Sequence, residues 1–282
     1  MGVEQRRGFT LVELMVALVL LVIVGGGMYS LLVTMQRVNR RQTEISGMQG
    51  TLRTGLQLVQ SELQEVATNG PAGSSDILSM SATSITYRAM RGMGETCSVT
   101  TTAVKIRQSS YSGLRTPTSP RDGLLLFVDG DTAKAADDRW FRTDSPTITS
   151  STCPDGSPAW SFSVTLTAPA VADSITVPGP VRTFEQMQLG VISDGGQNWL
   201  GIRSISAGDA ALLPVVGPVT SNGVGFGYFD GNVSATGTPA SVKTIVITLR
   251  GITQKLANTG TAGALTNLRD SLTVRVQLRN SL

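Results

Sequence analysis

Few side chains in this chain could do chemistry. Histidine is absent from its 282 residues, which removes Ser-His-Asp and Cys-His catalysis, HExxH metalloprotease sites and His-ligated zinc. Carboxylates, Lys, Tyr and Ser remain, and no spacing among them assembles a catalytic set. No metal or cofactor site is expected. Cys97 and Cys153 stand too far apart for a CxxC redox or zinc motif. Two readings are open for them: buried thiols, or one disulfide. An extracytoplasmic body would favour the disulfide, which would contribute about 4 kcal/mol by the loop-entropy relation. The run DGDTAKAADD (Asp129–Asp138) gathers four carboxylates, but Lys134 and Trp140 occupy the EF-hand positions that need Gly and Glu. A solvated acidic loop is the expectation, with a looser calcium site as the alternative. The most unusual carboxylate is Glu13. It opens a long apolar stretch and follows Arg6, Arg7, Gly8 and Phe9 directly.

The element that must carry Glu13 is a helix. LMVALVLLVIVGGGMYSLLV, Leu14 to Val33, is apolar or small almost throughout and is long enough to span a bilayer core of about 30 Å. Beyond it, apolar residues at Ile45, Met48, Leu52, Leu56, Val59, Leu63 and Val66 keep helical spacing. Arg37, Arg40, Arg41, Glu44, Arg53, Glu62 and Glu65 fall between them, mostly as a solvated face. One helix over about Phe9–Ala67 is predicted, stopped by Asn69-Gly70-Pro71. Gly25, Gly26 and Gly27 should soften it, each costing about 1 kcal/mol relative to Ala. Glu13 near its start suits the helix dipole and headgroup depth. The basic residues flanking the apolar run, counted alone, place the C-terminus in the cytoplasm. The cysteines and composition argue the reverse.

After Pro71 the period changes. Strands are predicted at Ile85–Met90, Val99–Arg107, Leu124–Val128, Trp160–Thr167, Val181–Ile192, Trp199–Ile205, Val224–Phe229, Val242–Leu249 and Leu272–Leu278. SDGGQN (193–198) reads as a hairpin turn, and segments 108–122 and 143–158 as surface loops. The fold class expected is α+β: a long N-terminal membrane-spanning helix packed on an antiparallel β-rich domain. The glycines of GVGFGYFDG lack nucleotide-cradle spacing and read as strand and turn. Trp140, Trp160 and Trp199 read as core or strand-pair residues. Arg88, Arg91, Lys105, Arg107 and Arg115 could form a patch for nucleic acid, but their spacing does not stack aromatic residues beside them, so a solvated surface is preferred. Asn232-Val233-Ser234 fits a glycosylation sequon.

The residues RRGFTLVELMVALVLL resemble the prepilin signature of type IV pilins and type II secretion pseudopilins. The resemblance implies a leader, residues 1–8, cut between Gly8 and Phe9 by a prepilin peptidase, with N-methylation of Phe9. It implies that Glu13 assists methylation and pairs with a neighbouring subunit's N-terminal amine during assembly. A buried amine and carboxylate are each costly alone and tolerable together. Residues 9–33 would be the transmembrane and polymerisation helix, 34–70 its amphipathic continuation, and 71–282 an extracytoplasmic β-rich domain. The implied partners are the peptidase, other minor pilins and the major pilin, the inner-membrane assembly platform, and membrane lipid before assembly. The implied orientation, leader in the cytoplasm and body in the periplasm, runs against the charge count. The body's layout, from VRTFEQMQLGVISDGGQNWLGIRSI through PVVGPVTSNGVGFGYFDGN and VKTIVITLRGI to LTVRVQLRNSL, is similar to the PilW family of minor pilins, and its ending, paired strands closing on Arg-Asn, is similar to the related GspJ family of minor pseudopilins.

Overall fold

A computed structural model describes residues 10–68, 75–129, 139–166, 175–258 and 265–278. Among the described residues there is one α-helix, α1 (Leu11–Gln64), followed by strands and short 3-10 turns. These begin with β1 (Ile77–Met80), β2 (Ser84–Val99), β3 (Ala103–Arg107), β4 (Ser112–Gly113) and β5 (Asp122–Val128). β6 (Arg139–Thr143), β7 (Ile148–Thr152), β8 (Pro158–Ser163), β9 (Pro180–Asp194) and β10 (Gln197–Ser204) follow. The chain continues with β11 (Leu213–Phe229), β12 (Thr244–Ile252), β13 (Ala257–Asn258), β14 (Leu265–Thr266) and β15 (Arg269–Gln277). The pairings are antiparallel throughout, so the α+β class read from the sequence is the fold observed.

The residues cluster into two units. The first comprises residues 1–48 and 253–268. Its described helical residues show an apolar surface all round: the large apolar side chains from Leu11 to Leu32 are 54–77% exposed. Its other segment is a β13–β14 hairpin beside a turn pinned at Thr253. There Thr253 N–H donates to the Leu268 carbonyl at 2.9 Å, and Leu268 N–H to Thr253 Oγ1 at 3.0 Å.

The second unit holds residues 49–252 and 269–282. Its sheet runs β15-β12-β11-β10-β9-β2-β3-β8-β7. β9 organises it: β2 pairs along one side, while β5 and β10 share the other, at Val181–Glu185 and Met187–Asp194. Alternation in the sequence sets the inner face. Ile245, Ile247 and Leu249 of β12 are buried with Val224 and Phe226 of β11. The last turns of α1 lay the stripe Leu52, Leu56, Val59 and Leu63 on this sheet, all buried. Gly55 marks the closest approach, since a Cβ there would lie 2.4 Å from Val216. Gln49 Nε2 donates to Asp270 Oδ2 of β15 at 2.8 Å, and Tyr87 Oη to Glu62 Oε2 at 3.3 Å. A further core cluster brings together Val104, Ile106, Leu124, Leu126 and Phe162.

Several boundaries differ from the sequence reading. α1 ends at Gln64 rather than Ala67, because Ala67 is diverted to Asp76: Asp76 N–H donates to the Ala67 carbonyl at 2.7 Å, and Ala67 N–H to Asp76 Oδ2 at 3.2 Å. The Asn69-Gly70-Pro71 stop lies outside the described residues. The run Val99–Arg107 is two strands, not one. Thr100 closes a turn between them, its N–H donating to the Ala103 carbonyl at 2.8 Å. Segment 143–158, expected to be a loop, contains β7, and segment 108–122 contains β4. β2 and β11 extend well beyond the strands predicted, and β8 ends at Ser163 rather than Thr167. Strands β1 and β6 were not predicted at all.

Candidate functional site

The start of α1 is built by two side chains. Thr10 Oγ1 accepts a hydrogen bond from the Glu13 backbone N–H at 3.2 Å. The Glu13 carboxylate reaches back, and its Oε2 accepts from both Thr10 N–H and Thr10 Oγ1–H at 3.2 Å. This is a capping box, Thr-x-x-Glu, which satisfies N–H groups that a helix start otherwise leaves unpaired. The spacing was visible in GFTLVE and carries more than the dipole argument did. The box also fixes direction: it turns the carboxylate toward the N-terminal side of the helix. Gly8 and Phe9, with Arg6 and Arg7 before them, lie outside the described residues.

Downstream of the cap, α1 is continuous through Gly25, Gly26 and Gly27. A Cβ at any of the three would meet nothing within 4 Å. Among the described residues no packing therefore demands glycine there, although each weakens the helix by about 1 kcal/mol. α1 is the one described helix long and apolar enough to cross a membrane, with mean hydropathy 2.5 over its best window. Leaving its side chains in water would forgo about 1.5–3 kcal/mol each. Lipid or other helices must cover them.

The other end of α1 is held by a buried ionic network that the sequence reading missed. The pairing of β2 with β9 slips between Met90 and Gly92, so Arg91 is the extra residue of a β-bulge. A bulge re-aims its side chain, and Arg91 bridges helix and sheet. Its Nη1 donates to Glu62 Oε1 and Oε2 at 3.1 and 3.2 Å, and its Nε to Glu185 Oε2 at 3.0 Å. Arg121 and Arg115 also reach Glu185, and Arg115 forks onto Asp122 at 2.5 and 2.9 Å. Glu185 is only 2% exposed. Burial pushes its carboxyl up, but hydrogen bonds with Ser204, Arg121 and Arg91 outweigh this and hold it below the usual carboxylate range.

Arg88 is buried as well, with Nε on Asp144 Oδ1 at 3.2 Å and its guanidinium over the Phe184 ring. Nearby Asp76 is pushed the other way, its pKa raised by burial that its Ala67 and Arg88 contacts do not offset. The solvated surface preferred for the basic residues is thus corrected at Arg88 and Arg91. Of the rest, Arg107 pairs with Asp155 at 2.6 Å and Lys105 donates to the Thr152 carbonyl at 2.9 Å.

Cys97 and Cys153 are joined in a disulfide, with Cα atoms 5.6 Å apart, buried beside Ala159. It links the far end of β2 to the turn between β7 and β8. Trp160 packs edge-on to Tyr111, and Trp140 edge-on to Phe127. Trp199 Nε1 donates to the Asp194 carbonyl. The acidic run at Asp129–Asp138 falls, beyond Asp129, outside the described residues.

Residues 5–29 match the family described as the prokaryotic N-terminal methylation motif. No curated protein and no solved structure matches the chain. The motif covers Glu13 and its cap, and it ends within the apolar stretch of α1. Together the motif and the helix support a type IV pilin- or pseudopilin-like chain with an N-terminal segment long and apolar enough to anchor it in a membrane. Proteins of this kind are processed by a prepilin peptidase and assemble with other pilin-like subunits.

Proposed function

We propose that the chain is a minor type IV pilin of the PilW kind, a non-enzymatic subunit that helps prime pilus assembly. The observation that carries this reading is the methylation motif at residues 5–29 placed at the start of an apolar, uncovered helix. The leader is cut between Gly8 and Phe9, and Phe9 becomes the methylated N-terminus. The subunit waits in the inner membrane with its β-rich body in the periplasm, an oxidising compartment that suits the Cys97–Cys153 disulfide.

During assembly the first part of α1 leaves lipid for a bundle of neighbouring helices. Glu13 then meets the N-terminal amine of an adjacent subunit, and the buried pair sets axial register. Its capping geometry supports the role, because the carboxylate is held toward the N-terminal side. A Cβ at Gly25, Gly26 or Gly27 would meet nothing within 4 Å among the described residues, which supports a role in local unwinding inside the filament. The β-rich body supplies the contacts specific to this subunit.

A minor pseudopilin of the GspJ kind would share the motif and the anchor. Sheared surface filaments separate the two. The pilin reading expects the chain in pili from cells with an active prepilin peptidase, and fewer pili when the chain is deleted. Normal piliation with loss of protein secretion on deletion would instead establish the pseudopilin.

A further inference from the structure

Strand β15 closes one side of the sheet. It pairs with β12 along its whole length, from Arg269↔Ile252 to Gln277↔Thr244, without a bulge. Among the described residues no strand pairs with its other side. Natural edge strands are commonly blunted by shortness, proline, a bulge or charged side chains; RDSLTVRVQ is long and regular and carries only the last of these, in Arg269, Asp270 and Arg275.

The solvent face of this edge carries one sign of charge. Arg269, Ser271, Thr273, Arg275 and Gln277 alternate outward, while Leu272, Val274 and Val276 turn inward. Arg250 of β12 lies opposite Ser271, on the same face. The one carboxylate of the two strands, Asp270, is on the opposite face, bound to Gln49. Arg269 and Arg275 form no ion pair among the described residues, and Arg250 donates only to the Asn222 carbonyl at 2.8 Å.

We propose that the free edge of β15 docks an extended, carboxylate-bearing segment of a partner protein by strand addition. Backbone hydrogen bonds complete the unpaired edge, and alternate side chains of the added strand fall beside the arginines. Carboxylates six residues apart, about 20 Å along a strand, meet Arg269 and Arg275. One between them reaches Arg250 across the small side chain of Ser271. A second copy of this chain is disfavoured, because edge-to-edge pairing would crowd both sets of arginines into one patch. The assignment stands apart from the pilin reading, since it depends on β15 and its neighbour β12 alone.

The test uses the full chain in detergent micelles and two labelled peptides of about nine residues. Both carry valine at alternate positions, with glutamates in one and lysines in the other. The glutamate peptide is expected to bind in a salt-sensitive manner and to slow amide exchange across 269–277, while the lysine peptide does not bind. Arg269→Glu with Arg275→Glu should weaken binding by roughly tenfold or more at unchanged melting temperature, and Arg269→Gln with Arg275→Gln less so. No binding at low salt, equal binding of both peptides, binding of an N-methylated glutamate peptide, or protection elsewhere would overturn the proposal. Self-association of the chain that protects these same amides would overturn it too.

Discussion

Thr10 and Glu13 cap α1 reciprocally: the threonine hydroxyl takes the Glu13 N–H, and the glutamate takes the Thr10 N–H, each at 3.2 Å. Glu13 thus has a neutral task, accepting hydrogen bonds within its own subunit, and an ionic one, proposed for assembly. The two can be separated by substitution. Glu13→Gln keeps a cap acceptor and removes the charge, whereas Glu13→Ala removes both. The account expects both variants to insert and lose their leader, and both to fail equally in incorporation. Recovery of incorporation by Glu13→Gln, scored in sheared filaments, would assign Glu13 to the cap alone.

At the other end of the helix, Arg91 is the shared partner of Glu62 and Glu185. Removing it leaves Glu185 buried with two of its three arginines, and Glu62 with only Tyr87. Arg91→Ala should cost about 3–5 kcal/mol, the usual result of breaking a buried pair from one side. Chemical unfolding of the detergent-solubilised chain measures it. Arg91→Met together with Glu62→Gln should cost less than Arg91→Ala, because the uncompensated charge on the helix side is gone.

Acid should loosen the same joint. Glu185 has a depressed pKa in the folded chain, so its contribution is complete above the unfolded value of about 4.3 and is lost as pH falls through the folded one. Asp76, raised by burial, works oppositely: its protonation relieves a cost that is present at neutral pH. Melting temperature should therefore fall below about pH 4.3. Glu185→Gln should flatten the fall and lower stability at pH 7, whereas Asp76→Asn should raise stability at pH 7. An unchanged acid limb in Glu185→Gln would remove Glu185 from the explanation.

Two glycines in one helix should respond with opposite sign. A Cβ at Gly50 meets nothing, whereas one at Gly55 would lie 2.4 and 2.5 Å from the Val216 methyls. Gly50→Ala is expected to stabilise by about 0.5–1 kcal/mol through helix propensity. Gly55→Ala should destabilise by about 1–3 kcal/mol as helix and sheet are forced apart. Unfolding midpoints of the two variants, compared side by side, test how closely α1 packs on β11.

The parts of this molecule that were legible in the sequence are those with local causes. Glu13 and the long helix show in spacing alone, and so do strands such as TIVITLRGI, whose alternate residues are buried. The Thr10–Glu13 box was equally local in the sequence, although its residues suggest only the dipole and headgroup depth for Glu13, and the resemblance its methylation and pairing roles. The Arg91–Glu185 pair could not be read this way. Its members are 94 residues apart, and a bulge in a pairing between β2 and β9 aims the arginine. β7, ITSST, escaped because an edge strand of small polar residues has no apolar alternation to betray it. The second half of β2 escaped because RGMGETCSV interrupts its pattern with glycines.

The central claim is that the chain is a prepilin whose first residues are an address and whose mature start is Phe9. Mass spectrometry of the protein's N-terminal peptide, taken from cells with an active prepilin peptidase, tests it most directly. The account predicts a peptide beginning at N-methylated Phe9 and lacking residues 1–8. A mature protein that retains the leader through Gly8, or begins at an unmethylated residue further along, would contradict it.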